Sequence, residues 1–166
     1  MKILLTGATG GIGSAIKARL QEHDLTCIAH SDTKTEESFD WLICAHGILD
    51  ESDLLGTFVA NTLSSIHLAQ TVKAKNIIFI SSTAGINGNT SYPIYAASKA
   101  ALNIYCKSIP NCYALCPGPT DTPLIKHLDI QKQSPTKVAK AVEHIMLGKY
   151  KSGDVITIRD GHESLS

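Results

Sequence analysis

Six short apolar segments alternate with segments whose apolar residues recur at helical spacing, and this alternation constrains the possible fold most strongly. The predicted strands cover residues 3–5, 25–29, 41–45, 76–80, 112–116 and 155–158. Nearly continuous apolar strands are typical of a parallel sheet that is covered by helices on both faces. The sequence therefore predicts an α/β fold with a doubly wound parallel sheet of about six strands.

Helical patterns fill most of the spaces between these strands. The predicted helices begin near Ile12, Leu63, Pro93 and Pro135. The chain has 166 residues, and its polar segments are too short to act as a linker between two folded units. We therefore expect one domain that covers residues 1–166.

Composition excludes several classes of function. The chain carries 15 Lys and Arg against 15 Asp and Glu, which gives no electrostatic argument for binding nucleic acid or an anionic membrane. Its apolar segments are too short for a membrane span or a signal peptide. The 5 cysteines form no CxxC pair, and the 7 histidines show no spacing typical of a metal site. We expect a reduced, cytoplasmic protein without a metal.

A glycine-rich turn, TGATGGIG at residues 6–13, lies between the first predicted strand and the first predicted helix. Glycine lets the backbone approach a ligand closely, and a helix N-terminus favours a bound phosphate. This context predicts a dinucleotide-binding turn rather than a tight turn with packing glycines. The spacing fits both GxxxGxG (Gly7, Gly11, Gly13) and GxxGxxG (Gly7, Gly10, Gly13), so the pattern leaves the type of turn open.

The residues after the second predicted strand bear on the choice of cofactor. An acidic side chain at this position binds the ribose hydroxyl of NAD, whereas a basic side chain favours the additional phosphate of NADP. Asp32 favours NAD, but Ser31 and Lys34 are compatible with NADP. The sequence therefore predicts NAD or NADP, and Asp32 is the one argument for NAD.

A serine, a tyrosine and a lysine in the second half of the chain form a candidate catalytic group. Ser82 follows the strand at 76–80, and Tyr95 and Lys99 lie one turn apart on one face of a predicted helix. An ammonium group near the phenol would lower its pKa from about 10 towards neutrality. Such a phenol transfers a proton to or from a carbonyl or alcohol oxygen, which Ser82 can also hydrogen-bond. The Tyr–Lys spacing is common by chance, so its weight comes from occurring together with the glycine-rich turn and the strand-end serine.

Together these segments resemble the short-chain dehydrogenases/reductases, in the branch with a TGxxxGxG turn and a YxxxK pair. The matching segments follow the family's order over nearly the whole chain, at residues 6–13, 80–85, 95–102, 117–122, 153–156 and 160–161. The resemblance implies a Rossmann fold, an NAD(P) cofactor and an oxidoreductase that interconverts a carbonyl and an alcohol by hydride transfer.

The resemblance also implies roles for individual residues. Tyr95 would be the general acid/base, Lys99 its activator and a ribose ligand, and Ser82 the group that orients the substrate carbonyl. Asn61 resembles the helix asparagine that holds a proton-relay water. The implied cofactor contacts are Gly7, Thr9, Gly11, Ile12, Gly13, Ser31, Asp32, Ala45, Gly47, Tyr95, Lys99, Pro117, Gly118, Thr120 and Thr122.

The chain departs from the family pattern at three places. Residues 44–47 are Cys-Ala-His-Gly, where the family usually has Asn-Asn-Ala-Gly, and we expect Cys44 to be buried and His46 to pack near the cofactor. Only a short segment separates the second predicted strand from the third, where the family normally has a helix, a strand and another helix. The segments 47–61 and 99–117 are shortened as well. These differences leave the signature residues intact, so we interpret the chain as a working enzyme on a shortened scaffold.

Two alternatives remain open at this level. The first is a non-catalytic NAD(P)-binding or sensing protein on a truncated scaffold. The second is an epimerase or dehydratase acting on nucleotide sugars, which the GxxGxxG spacing permits but for which the chain leaves no length for a substrate domain.

The resemblance further implies a small-molecule carbonyl or alcohol substrate. It also implies a homodimer or homotetramer, formed through the helices that carry Asn61 and Tyr95.

Overall fold

A seven-stranded sheet forms the centre of the computed structural model, which describes residues 1–29 and 37–166. Its strands lie in the order β2-β1-β3-β4-β5-β6-β7, and every pairing except that of β6 with β7 is parallel. The strands are β1 (Lys2–Thr6), β2 (Asp24–Ile28), β3 (Ser38–Cys44), β4 (Lys73–Ile80), β5 (Cys112–Pro117), β6 (Val155–Arg159) and β7 (His162–Leu165). The predicted doubly wound parallel sheet is confirmed.

Helices cover both faces of this sheet. They are α1 (Gly11–Arg19), α2 (Leu54–Phe58), α3 (Ser64–Thr71), α4 (Ala84–Asn87), α5 (Pro93–Ser108) and α6 (Pro135–Met146), with a π-helical turn at Val59–Leu63 and a 3₁₀ turn at Pro123–Ile125. The longest, α5, has 16 residues, and no helix in the described part of the chain has both the length and the apolar character that a membrane span requires.

Alternation along the strands divides the core into two layers. Ile43 and Ile78 point to the face that α1 and α6 cover, whereas Leu42 and Phe79 point to the face that α3 and α5 cover. All four side chains are buried. Because both faces are buried, the strands are nearly continuous apolar runs, as the sequence indicates.

The seventh strand corrects the predicted count of about six. Strand β7 has the sequence HESL and is mostly exposed, so it lacks the apolar pattern on which the prediction relied. Its position follows instead from the two-residue turn Asp160-Gly161, in which both residues have positive φ, at 49° and 84°. An Asp-Gly pair in this conformation is typical of a tight β-hairpin, and this local signal would have located the strand.

The order of the strands places the glycine-rich turn at a switch in chain direction. Strand β1 lies between β2 and β3, so the chain leaves β1 towards one side of the sheet and returns on the other. Ligands of such sheets bind beyond the carboxyl ends of the strands at this switch. Within the described residues β2 pairs only with β1, and the segment that follows it, 30–36, lies outside the description together with the predicted ribose contacts Ser31 and Asp32.

Close backbone packing identifies which glycines the turn requires. A Cβ on Gly7, which has a φ of 69°, would lie 2.7 Å from the carbonyl oxygen of Ala45, and a Cβ on Gly13 would lie 1.9 Å from that of Gly7. A Cβ on Gly11 would lie 2.5 Å from Thr122 Cγ2. A Cβ on Gly10 would meet its nearest neighbour only at 3.3 Å. The packing therefore favours the GxxxGxG spacing over GxxGxxG.

We expect Gly13→Ala to lower the free energy of unfolding by at least about 2 kcal/mol, because the added methyl group overlaps a backbone oxygen that cannot move freely. Alanine would otherwise favour a helix at this position. The matched control, Gly10→Ala, should cost about 1 kcal/mol or less. Urea denaturation followed by circular dichroism measures both, and equal effects of the two substitutions would contradict the packing described here.

Candidate active site

A first cleft opens above the glycine-rich turn at the carboxyl ends of β1 and β2. Its volume is about 370 Å³, and we call it the glycine-turn cleft. The first turn of α1, which the structure describes completely, carries no acidic side chain, so its free N–H groups face the turn without a competing negative charge. The cleft is lined by Gly7, Ala8, Thr9, Cys27, Ile28, Ala29 and His46. Its backbone donors and the small residues of the turn, Gly7 and Ala8, fit a pyrophosphate group.

A second cleft, also of about 370 Å³, lies beyond the carboxyl ends of β4, β5 and β6. We call it the tyrosine cleft, because Ser82 and Tyr95 both line it. Tyr95 is also a predicted cofactor contact, and five further ones line the cleft: Ile12, Pro117, Gly118, Thr120 and Thr122. Thr122 packs against Gly11, and Ile12 lines the tyrosine cleft, so this cleft reaches the start of α1 beside the glycine-rich turn.

Burial controls the charge state of the candidate catalytic tyrosine. It raises the pKa of Tyr95, while a hydrogen bond with the Ser82 side chain acts in the opposite direction. The prediction that the pKa of Tyr95 falls towards neutrality is therefore wrong. The reason is burial, since the Lys99 ammonium, 5.9 Å from the centre of the Tyr95 ring, donates its hydrogen bond to another group and does not offset it.

Lys99 is almost completely buried, with 4 % of its surface exposed. Its Nζ donates to the carbonyl oxygen of Ile80, the last residue of β4, over 3.0 Å. Burial lowers the pKa of Lys99 to about 8. Two nearby thiols stay protonated at neutral pH, because burial raises the pKa of Cys44 to about 12 and that of Cys116 to about 11.

Asn61 lies in the π-helical turn between α2 and α3 and is fully buried. Its Oδ1 accepts from the Ile48 N–H over 2.7 Å, and its Nδ2 donates to the Ile48 carbonyl and to Ser98 Oγ, both over 3.0 Å. A Cβ on Gly47 would lie 2.9 Å from Asn61 Oδ1 and 3.2 Å from Lys99 Nζ. Gly47 therefore lets the amide and the amine approach the same backbone segment.

His46 connects β1 with the start of α3. Its Nδ1 lies 2.6 Å from Thr6 Oγ1, and its Nε2 lies 2.8 Å from Ser64 Oγ. The Ser64 hydroxyl donates to the Ala60 carbonyl, so it accepts from Nε2–H, which leaves Nδ1 as the acceptor of the Thr6 proton. His46 also lines the glycine-turn cleft, where the sequence analysis expected it to pack near the cofactor.

Glu51 is a positioning residue that the sequence analysis missed. Its carboxylate accepts from the backbone N–H groups of Ile94 over 2.9 Å and Tyr95 over 2.8 Å, both in the first turn of α5. Tyr92, the residue before this helix, provides no side-chain cap. A helix that begins at a proline without a preceding Ser, Thr, Asp or Asn signals that its cap comes from elsewhere, but the sequence does not show which residue provides it.

All five cysteines lie in the described residues, and none forms a disulfide. Cys112 and Cys116 are buried on the same face of β5, as their spacing predicts. They act as small apolar core residues.

The buried charge of Lys99 predicts a dependence of stability on pH. Its pKa is about 8 in the folded chain against 10.5 as the ordinary value, so the unfolded chain binds more protons between these values and stability rises with pH there. We expect the free energy of unfolding of the wild type, relative to Lys99→Met, to increase by about 2 kcal/mol between about pH 7.5 and about pH 9.5. Denaturant titrations at both pH values measure it.

The control for this experiment is Lys107→Met, which removes an exposed lysine from the same helix. Relative to this variant, the wild type should show no such increase. A pH-independent difference between the wild type and Lys99→Met would contradict the account of a buried ammonium group.

Removal of the Glu51 carboxylate should destabilise the start of α5. We expect Glu51→Ala to lower the free energy of unfolding by about 1–2 kcal/mol, because two N–H groups lose their acceptor, and Glu51→Gln to lower it by about half as much. Glu22→Ala, at an exposed position, is the control. If thermal denaturation gave the same midpoint for Glu51→Ala and Glu22→Ala, the cap would contribute nothing.

Comparison with known proteins places this geometry in a family. The model of the short chain dehydrogenase family matches residues 39–133, which is more than half of the chain and includes Asn61, Ser82, Tyr95 and Lys99. No curated protein sequence matches the chain at a significant level.

Solved structures of dehydrogenases share the fold. The 3-alpha-hydroxysteroid dehydrogenase from Pseudomonas sp. B-0831, complexed with NADH, is 16 % identical with a TM-score of 0.81, and the match covers 97 % of this chain and 96 % of that chain. A short-chain dehydrogenase/reductase (glucose/ribitol dehydrogenase) from Brucella melitensis is 18 % identical with a TM-score of 0.82, covering 96 % and 95 %. The ligand-free aldohexose dehydrogenase of Thermoplasma acidophilum is 19 % identical with a TM-score of 0.78, covering 96 % and 93 %.

Identities below one fifth show the fold alone, whereas the family model matches the segment that carries the candidate catalytic residues. The chain is therefore a shortened member of the short-chain dehydrogenase family of oxidoreductases.

Proposed function

We propose that the chain is an NAD(P)-dependent oxidoreductase that interconverts a carbonyl and an alcohol, with Tyr95 as the general acid/base. The observation that carries this proposal is that Ser82 and Tyr95 line the same open cleft, with the buried Lys99 ammonium 5.9 Å from the centre of the Tyr95 ring. A bound nicotinamide cofactor would supply or accept the hydride. The whole chain, residues 1–166, would then act as one dinucleotide-binding domain that also carries the catalytic residues.

The glycine-turn cleft and the adjoining part of the tyrosine cleft would hold the cofactor. The N-terminus of α1 offers donors to the pyrophosphate, and Gly7 and Gly11 leave room for its approach. Thr122, which packs against Gly11, and Gly118 would face the nicotinamide end. The choice between NAD and NADP stays a prediction, since Ser31 and Asp32 lie outside the described residues.

Tyr95 would move the proton. Because burial raises the pKa of Tyr95, its phenol carries a proton at neutral pH and can donate it to the oxygen of a carbonyl substrate. The Ser82 hydroxyl, which lines the same cleft, would bind the same oxygen. Lys99, still largely protonated below pH 8, would stabilise the phenolate that remains.

Asn61 would take part in proton relay, because its side chain connects the π-helical turn with the helix that carries Lys99. Its side chain connects the π-helical turn with Ser98, which precedes Lys99 on α5, and with the backbone at Ile48. Both Nδ2 protons are donated within the protein, so a relay water would have to bind at Oδ1 or at the backbone.

A homodimer or homotetramer stays a prediction. Its support is an exposed apolar stripe, Leu55, Val59 and Leu63, at a spacing of four residues along the helices that carry Asn61. Ile104 on α5 is exposed as well. A second copy of the chain would cover these side chains. Cytoplasmic location also stays a prediction.

Tyr95→Phe should reduce turnover at least about 1,000-fold while cofactor affinity changes less than about twofold, because only the proton-transferring oxygen is removed. The matched control is Tyr105→Phe, which removes the same atom from the same helix at a tyrosine whose ring packs against Phe79. Turnover would be measured with NADH and with NADPH over a panel of carbonyl compounds.

The outcomes separate the proposal from the alternative without catalysis. Full activity of Tyr95→Phe would disprove the assigned role. Tight binding of NADH or NADPH by the wild type, with no turnover of any carbonyl or alcohol, would favour the non-catalytic binding protein.

A further inference from the structure

The tyrosine cleft contains one charged side chain. Among the described residues that line it, Arg159 alone carries a charge, and none is acidic. Arg159 is the last residue of β6 and lies in the cleft wall together with Ser82 and Tyr95. The cleft therefore has a positive charge that its own walls do not neutralise.

The guanidinium group of Arg159 has no protein partner. Within residues 1–29 and 37–166 it forms neither a hydrogen bond nor an ion pair, although the chain's other arginine, Arg19, pairs with Glu143. Its stem lies over Gly118, where a Cβ would be only 3.2 Å from Arg159 Cγ. The neighbouring Lys137 donates to the Asp160 carbonyl and does not line the cleft. The absence of a side chain at Gly118 thus leaves room for Arg159 to lie along the wall.

The remaining walls favour an amphipathic ligand. Leu124, Ile125, Leu128 and Ile130, from the segment after β5, provide apolar surface in the same cleft as the polar Ser82. A guanidinium binds a carboxylate or a phosphate through two parallel hydrogen bonds. Its single positive charge neutralises a carboxylate completely but a doubly charged phosphate only in part, which favours a carboxylate.

We propose that Arg159 binds a carboxylate of the substrate, so that the enzyme acts on an oxo or hydroxy carboxylic acid. This inference rests on the proposed function, because it places the reacting carbonyl at Ser82 and Tyr95. Ser82 follows β4 and Arg159 ends β6, so two strand spacings, about 10 Å, separate their backbones. The Arg159 stem lies over Gly118 and so spans part of this distance, which makes the backbone spacing an upper limit on the separation of the carboxylate and the carbonyl.

The test compares oxo-carboxylates with their uncharged amides. The probes are straight-chain oxo-carboxylates with up to about six carbons between the two groups, an upper limit set by the strand spacing, and the amide of each. With the reduced cofactor that binds, we expect kcat/KM to be about tenfold higher for the carboxylate, and this ratio to fall close to one in Arg159→Gln. Added salt should lower the ratio in the wild type, because the arginine is exposed.

Lys137→Gln is the matched control, since it removes a neighbouring positive charge that lies outside the cleft. It should keep the wild-type ratio. A ratio that Arg159→Gln leaves unchanged would overturn the proposal. So would a loss of NADH or NADPH affinity of more than about fivefold in Arg159→Gln, because the arginine would then bind the cofactor's phosphates.

A binding measurement separates this inference from the proposed function. Saturation-transfer NMR detects the same carboxylates and amides on the protein without turnover. Binding that prefers the carboxylate and requires Arg159 would support the site even if no probe were reduced, in which case the oxidoreductase proposal would fail alone. Turnover without a preference for the carboxylate would support the oxidoreductase proposal and disprove the role of Arg159.

Discussion

A single buried amine organises the candidate active site. Lys99 Nζ donates to the Ile80 carbonyl at the end of β4, so helix α5 is joined to the sheet beside the point where Ser82 follows the strand. Burial acts on the two titrating groups in a consistent way, since it lowers the pKa of the amine and raises that of the Tyr95 phenol. Burial favours the uncharged form of each group, and a ligand that changes their surroundings will change both pKa values.

The loop after β3 connects the sheet with the helices of the candidate active site. His46 bonds Thr6 at the end of β1 and Ser64 on α3, while the backbone of Ile48 holds the Asn61 amide. Glu51, at the far end of the same loop, caps α5. Residues 46–51 therefore make polar contacts with β1, with the π-helical turn that carries Asn61, with α3 and with α5.

Features with a local cause were predictable from the sequence. The range of α5 follows from Pro93 and the apolar period, and the glycine-rich turn follows from its place between a strand and a helix. Features that depend on distant residues were not. The pKa of Tyr95 depends on burial rather than on the spacing to Lys99. The Glu51 carboxylate caps N–H groups that lie 43 and 44 positions further along the chain. Asp160-Gly161 carried a hairpin signal that the apolar pattern concealed.

The central claim is that the two clefts together form a working nicotinamide site, and separate fluorescence titrations with NADH and NADPH test it most directly. Nucleotide emission would be followed as the protein is added at constant nucleotide concentration. The account predicts saturable binding of at least one of them, at one nucleotide per chain and with a Kd below about 100 µM. If neither nucleotide bound at millimolar protein concentration, the assignment of both clefts would be contradicted.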